Sequence, residues 1–153
     1  MAGLPGQIEI VEEPKAALMA FGIHSKQSET VNHVVIKCGG SKLEATFVQA
    51  NQQGLTIKQS QVSEQCGGFN FDEVLAEHYM NRVMCNSNQK EEERAFIKMD
   101  LRQKCRLAKH ELSFKDKTIV SGSWYQGKYT LAESELTRKV FEKKVQHVLL
   151  RCM

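Results

Sequence analysis

The chain has 153 residues, of which 41% are hydrophobic and 25% charged, with 10 glycines and only 2 prolines. This composition excludes collagen-like, low-complexity and fully disordered chains, and the length predicts a single domain with a core of its own. The formal net charge of +3 is spread through segments of alternating sign, so it does not predict a nucleic-acid partner.

The sequence has no recognisable targeting signal or membrane-spanning segment. It has no run of about 18 apolar residues and no basic segment followed by an apolar stretch, so we expect a cytoplasmic protein that does not enter a membrane. The cysteines form no C-x-x-C pair, which disfavours both a disulfide framework and a zinc site. The residues therefore predicted to be free thiols are Cys38, Cys66, Cys85, Cys105 and Cys152.

The first 62 residues are predicted to form a strand, a helix and a three-stranded antiparallel meander. Pro14 suits the first turn of the helix, where its missing N–H has no partner anyway, and Gly22 ends it. Alternation along the second meander strand predicts that Leu43, Ala45 and Phe47 face the core and that the residues between them face solvent. The predicted segments are the strand Gln7–Val11, the helix Ala16–Ile23 and the strands Val31–Lys37, Lys42–Gln49 and Leu55–Gln59, with turns at 38–41 and 51–54.

Beyond residue 67 the hydrophobic period becomes helical. Asn70 with Glu73, and Asn88 with Glu91, are capping-box patterns that predict helix starts. The predicted segments are a helix of about four turns from Asn70, a helix over Glu91–Leu112 that buries Ile97, Leu101, Cys105, Ala108 and Leu112, a hairpin of Thr118–Trp124 and Lys128–Thr130 turning at Gln126-Gly127, and a last helix capped by Thr130 with Glu133 that carries Leu136 and Val140.

The glycine-rich turn Cys38-Gly39-Gly40-Ser41 is a candidate phosphate site. Glycine permits close approach of a ligand, so such a turn can present backbone N–H groups to an anion, although a plain hairpin turn remains the alternative. The five histidines are scattered, and no H-E-x-x-H or G-x-S-x-G motif is present. The sequence therefore predicts no catalytic nucleophile and no metal site.

Four segments follow one another at characteristic intervals: E-P-K-A-A-L-M-A-F-G from Glu13, K-C-G-G-S-K from Lys37, G-G-F-N-F-D from Gly67 and C-R-L-A-K-H-E-L-S from Cys105. They resemble E-P-T-A-A-A-x-A-Y-G, D-L-G-G-G-T, G-G-x-x-F-D and C-E-x-A-K-x-x-L-S in the nucleotide-binding domain of the 70-kDa heat-shock (DnaK-type) chaperones. The resemblance implies an α/β, actin-like ATPase fold limited to part of its second lobe. It implies residues 1–62 as part of the inner subdomain, 63–132 as the outer subdomain and 133–153 as a final inner helix.

The same resemblance implies a nucleotide site that has lost its metal. Lys37 stands where the family has the aspartate that organises hydrated magnesium, and an ammonium there would repel a divalent cation. We therefore expect a pseudo-ATPase without turnover, without a required cofactor and with only weak ATP or ADP binding. The nucleotide-binding residues implied are Gly39, Gly40 and Ser41 at the phosphates and Lys109, His110 and Ser113 at the adenosine.

Three functional hypotheses follow in order of preference. The first is a non-catalytic chaperone-like module whose outer subdomain binds partners such as nucleotide-exchange factors through Arg102, Tyr125 and Tyr129, unless the tyrosines pack inside. The second is a weak adenine-nucleotide binder, and the third is a residual ATPase fragment. A divergent or truncated product without a role of its own remains an alternative. Apolar surface that the rest of the family's domain would cover also implies self-association.

Overall fold

The computed structural model describes residues 9–23, 29–85 and 90–151. These residues belong to two compact units: the first comprises the described parts of Met1–Lys37 and Leu43–Val62, and the second comprises those of Cys38–Lys42 and Ser63–Met153. The elements in chain order are α1 (Glu13–Ala20), β1 (Val31–Cys38), β2 (Leu43–Asn51), β3 (Gly54–Ser63), α2 (Gly68–Met80), β4 (Met84–Cys85), α3 (Glu91–Glu111), β5 (Lys117–Trp124), β6 (Tyr129–Thr137) and α4 (Arg138–Leu150).

The first unit contains α1 and an antiparallel sheet in the order β1-β2-β3. Pro14 lies in the first turn of α1, and Gly22, with a φ of 77°, follows its end, as predicted. Residues 9–11 of the predicted first strand have no regular structure, so that prediction is wrong there, and residues 7 and 8 lie outside the described residues.

The buried face of β2 is the reverse of the predicted one. Thr46, Val48 and Ala50 are buried, whereas the predicted core residues at positions 43, 45 and 47 are half-buried. Alternation marks two faces without saying which one will be covered. Thr46 tolerates burial because its hydroxyl shares a hydrogen bond of 3.0 Å with the hydroxyl of Ser60 on β3.

The second unit contains a small antiparallel sheet in the order β4-β6-β5, against which α3 packs through β5, with α2 beside α3. The side chains predicted to line the inner face of the long helix are all buried, which confirms its period of 3.6 residues. The short strand β4 has no counterpart in the sequence prediction. Buried residues of this core include Leu75, Tyr79, Ile97, Leu101, Cys105, Trp124, Tyr129 and Leu136.

Two predicted helix starts are wrong. Asn70 is the third residue of α2, where its side-chain oxygen accepts a hydrogen bond of 2.7 Å from the N–H of Gly67. Thr130 and Glu133 lie within β6, because that strand stays paired with β5 as far as Thr137. Thr137 is the true cap of α4, and its hydroxyl accepts a hydrogen bond from the N–H of residue 140 at 3.2 Å.

The start of α3 agrees with the predicted Glu91, but the predicted capping residue Asn88 lies outside the described residues, and Lys90 provides no side-chain cap.

Among the helices of the described residues, none is both long and apolar enough to cross a membrane.

Among the described cysteines, one differs from the prediction. Cys38, Cys85 and Cys105 are free, whereas Cys66 is disulfide-bonded, and Cys152 lies outside the described residues. Burial, with a contribution from the negative charge of Asp72, raises the pKa of the Cys105 thiol to about 12. That thiol therefore stays protonated and behaves as a core side chain.

Candidate functional site

A cavity of about 460 Å³ in the second unit is lined by the turn after β1, the start of α2, the end of α3 and the start of α4. Gly39 of the predicted phosphate turn lines it together with Lys109, His110 and Ser113 of the predicted adenosine side. The fold thus brings the two sequence-predicted halves of the site around one cavity. Gly40 and Ser41 lie outside the lining of this cavity.

The glycine turn packs against the first turn of α2. The N–H of Gly68 donates to the carbonyl of Gly39 at 3.0 Å, and the N–H of Phe69 donates to the carbonyl of Gly40 at 2.7 Å. A Cβ on Gly67 would lie only 2.6 Å from the Gly40 carbonyl oxygen, which explains the glycine at that position. Helix N-terminal N–H groups often bind anions, but these two are used within the protein.

Lys109 has a structural role at the bottom of this site. Its Nζ lies 2.7 Å from Oδ1 of Asp72 and donates to the carbonyl of Gly68 at 2.9 Å. Asp72 is only 1% exposed, and a buried carboxylate requires a partner of opposite charge. The sequence alone does not pair these two residues, although Asp72 ends the segment G-G-F-N-F-D.

Two further residues line the cavity, Arg138 and Phe141, and neither was predicted as a site residue. Arg138 donates from Nε to the carbonyl of Leu112 at 3.1 Å and from Nη2 to the carbonyl of Lys115 at 3.2 Å, so it binds carbonyls at the end of α3. Phe141 meets Phe71 edge-to-face with ring centroids 6.5 Å apart. The cavity therefore combines an aromatic wall with cationic and hydroxyl groups and with the carboxylate of Glu142, and such a mixed lining suits a planar ligand with polar substituents.

Lys37, at the position where the family has its magnesium-organising aspartate, lies in the first unit. Lys37 on β1 forms an ion pair with Glu13 of α1. Among the described residues, no group of three histidine, cysteine or acidic side chains is placed to hold a metal ion. Magnesium prefers oxygen ligands, and at position 37 the chain carries an ammonium group paired with Glu13.

The family model described as Hsp70 protein matches residues 1–153. The chain belongs to the Hsp70 family. It is similar to the chaperone protein dnaK of Phaeodactylum tricornutum, with 28% identity over 95% of this chain and 24% of that protein. It is also similar to a ribosome-associated molecular chaperone of Zygosaccharomyces rouxii, with 29% identity over 88% of this chain and 22% of that protein.

A third relative is heat shock 70 kDa protein 14 of Danio rerio, with 30% identity over 69% of this chain and 21% of that protein. The chain thus spans about a quarter or less of the length of these relatives. Both the predicted Hsp70 resemblance and the predicted α/β fold, consistent with part of an actin-like ATPase domain, are confirmed.

Of the three residues predicted to contact a partner, Tyr125 and Arg102 are exposed at the surface of this Hsp70-family chain and Tyr129 is buried. Tyr129 is 1% exposed, and its hydroxyl donates to Glu93 at 2.7 Å, so the alternative of internal packing holds for this residue. Tyr125 remains 45% exposed at the tip of the β5–β6 hairpin, with its ring edge-to-face against Phe96 at 6.0 Å. Phe96 is itself half exposed, and sequence analysis missed it.

The hairpin tip that carries Tyr125 has an unusual backbone. The predicted turn at Gln126-Gly127 includes the preceding residue as well, because Tyr125 and Gln126 have φ values of 51° and 57° and Gly127 has 86°. Residues other than glycine rarely adopt this left-handed backbone region, and such backbone strain is most frequent at functional positions.

Arg102 lies on the outward side of α3 within a group of ion pairs. Its Nε donates to Glu73 of α2 at 2.7 Å, and Lys98 contacts the same carboxylate at 2.6 Å. Burial alone would raise the pKa of Glu73, but hydrogen bonds and positive charge from Lys98 and Arg102 outweigh it and hold that pKa below its usual value. The Arg102 guanidinium remains half exposed beside this group.

Proposed function

We propose that this Hsp70-family chain is a non-catalytic module that acts by binding protein partners and does not hydrolyse ATP. The ion pair between Lys37 and Glu13 carries the proposal. Phosphoryl transfer depends on positioning and on metal electrostatics, and at the position of the family's metal-ordering aspartate this chain has a cation already neutralised by its own acid. No step through magnesium is therefore assigned.

ATP turnover in the presence of magnesium is expected to equal that of a buffer blank. Lys37→Asp alone should not restore turnover, because one carboxylate does not supply the other positioned groups on which phosphoryl transfer depends. Phosphate release measured across successive purification fractions tests the expectation. Turnover that follows the protein through these fractions and disappears in both His110→Ala and Ser113→Ala would contradict the non-catalytic assignment.

The partner surface is proposed to lie on α3 and the tip of the β5–β6 hairpin. The exposed rings of Phe96 and Tyr125 lie in edge-to-face contact, and Arg102 stands on α3 as a second potential anchor. Aromatic and arginine side chains carry most of the energy at interface centres. A nucleotide-exchange factor of the chaperone system is the partner expected, with or without nucleotide present.

Capture of a purified exchange factor tests this surface. Tyr125→Ala is expected to weaken binding by about tenfold or more, as for an interface anchor, with only a small loss of stability from its two edge-to-face ring contacts. Phe114→Ala, at a position 90% exposed just beyond α3, is the matched control. If the unmutated chain fails to capture any exchange factor, or if both variants bind as it does, this surface is not the contact.

A second candidate function is weak adenine-nucleotide binding, and the cavity that joins Gly39 to Lys109, His110 and Ser113 supports it. Adenosine and ATP are expected to bind alike, near the millimolar range that corresponds to about 4 kcal/mol, because the ring and the ribose would supply the contacts. Calorimetric titration of both ligands, with Ser113→Ala as the weakened variant and Phe114→Ala as control, measures this. Micromolar binding of ATP without binding of adenosine would move the site to the phosphate turn.

A further inference from the structure

The tip of the β5–β6 hairpin is held to α3 by side chains on both of its sides. At the end of β5, the indole N–H of Trp124 donates to Oδ2 of Asp100 at 2.9 Å. At the start of β6, the hydroxyl of Tyr129 donates to Oε2 of Glu93 at 2.7 Å, and Nζ of Lys128 lies 2.5 Å from the same oxygen. The carboxylate of Glu93 thus binds two consecutive residues at the point where the chain leaves the turn.

These two carboxylates share one side of α3 with an exposed aromatic ring. Glu93, Phe96 and Asp100 are separated by three and four residues, so they follow one another along the same side of the helix. The ring of Phe96 is the one that meets Tyr125, with centroids 6.0 Å apart. Phe96 therefore lies on the helix between the two groups that hold the hairpin.

The backbone of the hairpin tip depends on contacts of this kind. Tyr125 and Gln126 have φ values of 51° and 57°, and such conformations persist only where the surrounding structure holds them. The N–H of Lys128 donates to the carbonyl of Tyr125 at 3.1 Å and closes the turn. A group that fixes Lys128 therefore also limits the position of Tyr125.

The ion pair between Glu93 and Lys128 is partly shielded from water, since the two side chains are only 18% and 24% exposed. Hydrogen bonds from Lys128 and Tyr129 hold the pKa of the Glu93 carboxyl below its usual value, so this group is charged at neutral pH. Hydrogen bonds to an ionised acceptor are stronger than those between neutral groups. Glu92, the residue before it, is exposed to solvent and provides a natural comparison.

We propose that Glu93 is the positioning residue of the partner surface: by holding Lys128 and Tyr129 at once, its carboxylate fixes the exposed ring of Tyr125 against Phe96 for binding. This inference rests on the proposed function, because it concerns the same surface. The carboxylate itself need not touch the partner. It acts through the turn, and it keeps the ring of Tyr125 in one place before a partner arrives, which reduces the entropy lost on binding.

Fluorine NMR of the intact chain tests the positioning without any partner, with 3-fluorotyrosine in place of its three tyrosines and each resonance assigned from a Tyr→Phe variant. Glu93→Gln removes the charge with little change of shape, and it should shift the Tyr125 resonance because the ring leaves its contact with Phe96. The resonance of Tyr79, which is 1% exposed, should stay in place and report an intact core. Glu92→Gln is the matched control and should leave the Tyr125 resonance where it is. An unchanged Tyr125 resonance in Glu93→Gln overturns the proposal.

Capture of a purified exchange factor provides the second readout. Glu93→Gln should weaken binding by about threefold or more, less than Tyr125→Ala, because the ring is displaced and not removed. If Tyr125→Ala weakens binding but Glu93→Gln does not, the proposal is overturned and the partner surface stands. If neither variant weakens binding although the Tyr125 resonance moves, the partner surface is wrong and the positioning role falls with it. Equal weakening by Glu92→Gln would show an effect of net charge and would also overturn the proposal.

Discussion

Replacement of Lys109 by alanine is expected to lower the free energy of unfolding by about 3–5 kcal/mol, because it leaves Asp72 as an unpaired buried charge. The ammonium lies 2.7 Å from this carboxylate, which is 1% exposed, and also holds the carbonyl of Gly68 at the start of α2. Urea denaturation measures the loss. Lys115→Ala, which removes an exposed (i, i+4) pair with Glu111, should change the stability by only about 0.5 kcal/mol or less.

A double-mutant cycle separates the ion pair from the packing of the lysine. Lys109→Met combined with Asp72→Leu should be less destabilised than Lys109→Met alone, since it removes the stranded charge with its partner. A single Lys109 variant as stable as the unmutated chain would contradict the structural role. If that role holds, loss of nucleotide binding in a Lys109 variant reports on the fold, and His110 and Ser113 are the residues with which to test the cavity.

Replacement of Tyr129 by alanine is expected to cost about 3–5 kcal/mol, the range for removing a large aromatic side chain from a core. The ring is 1% exposed and meets Tyr125 edge-to-face, while the hydroxyl binds Glu93. Tyr129→Phe keeps the ring and should lose far less stability. Thermal denaturation followed by circular dichroism measures both variants.

Tyr125→Ala is the matched comparison for Tyr129, because both tyrosines belong to the same hairpin and only the first is exposed at 45%. We expect Tyr129→Ala to lose folding and partner binding together, and Tyr125→Ala to lose binding with only a small loss of stability. If Tyr129→Ala folds normally and loses only binding, the ring is a contact residue and its place in the core is wrong.

Local patterns in the sequence correctly predicted those features that depend on the residues of a single element or motif. The stripe of Ile97, Leu101 and Cys105 predicted α3 because a helix repeats every 3.6 residues whatever it packs against. The order of the glycine-rich and C-x-x-A-K segments predicted the Hsp70 family, because a series of motifs at matching intervals is far more specific than one. The same segments identified Lys109 and Gly39, which the fold brings to one cavity.

Contacts between residues distant in the chain determined the structural features that the sequence did not predict. The capping pattern of Thr130 with Glu133 predicted a helix, yet the ladder with β5 satisfies the backbone of these residues as a strand up to Thr137. The choice of the buried face of β2, the partner of Asp72 and the burial of Tyr129 depend on residues distant in the chain. A one-dimensional pattern records which side chains are apolar or charged, but only the packed fold determines which of them lose contact with water and which opposite charge is near enough to compensate them.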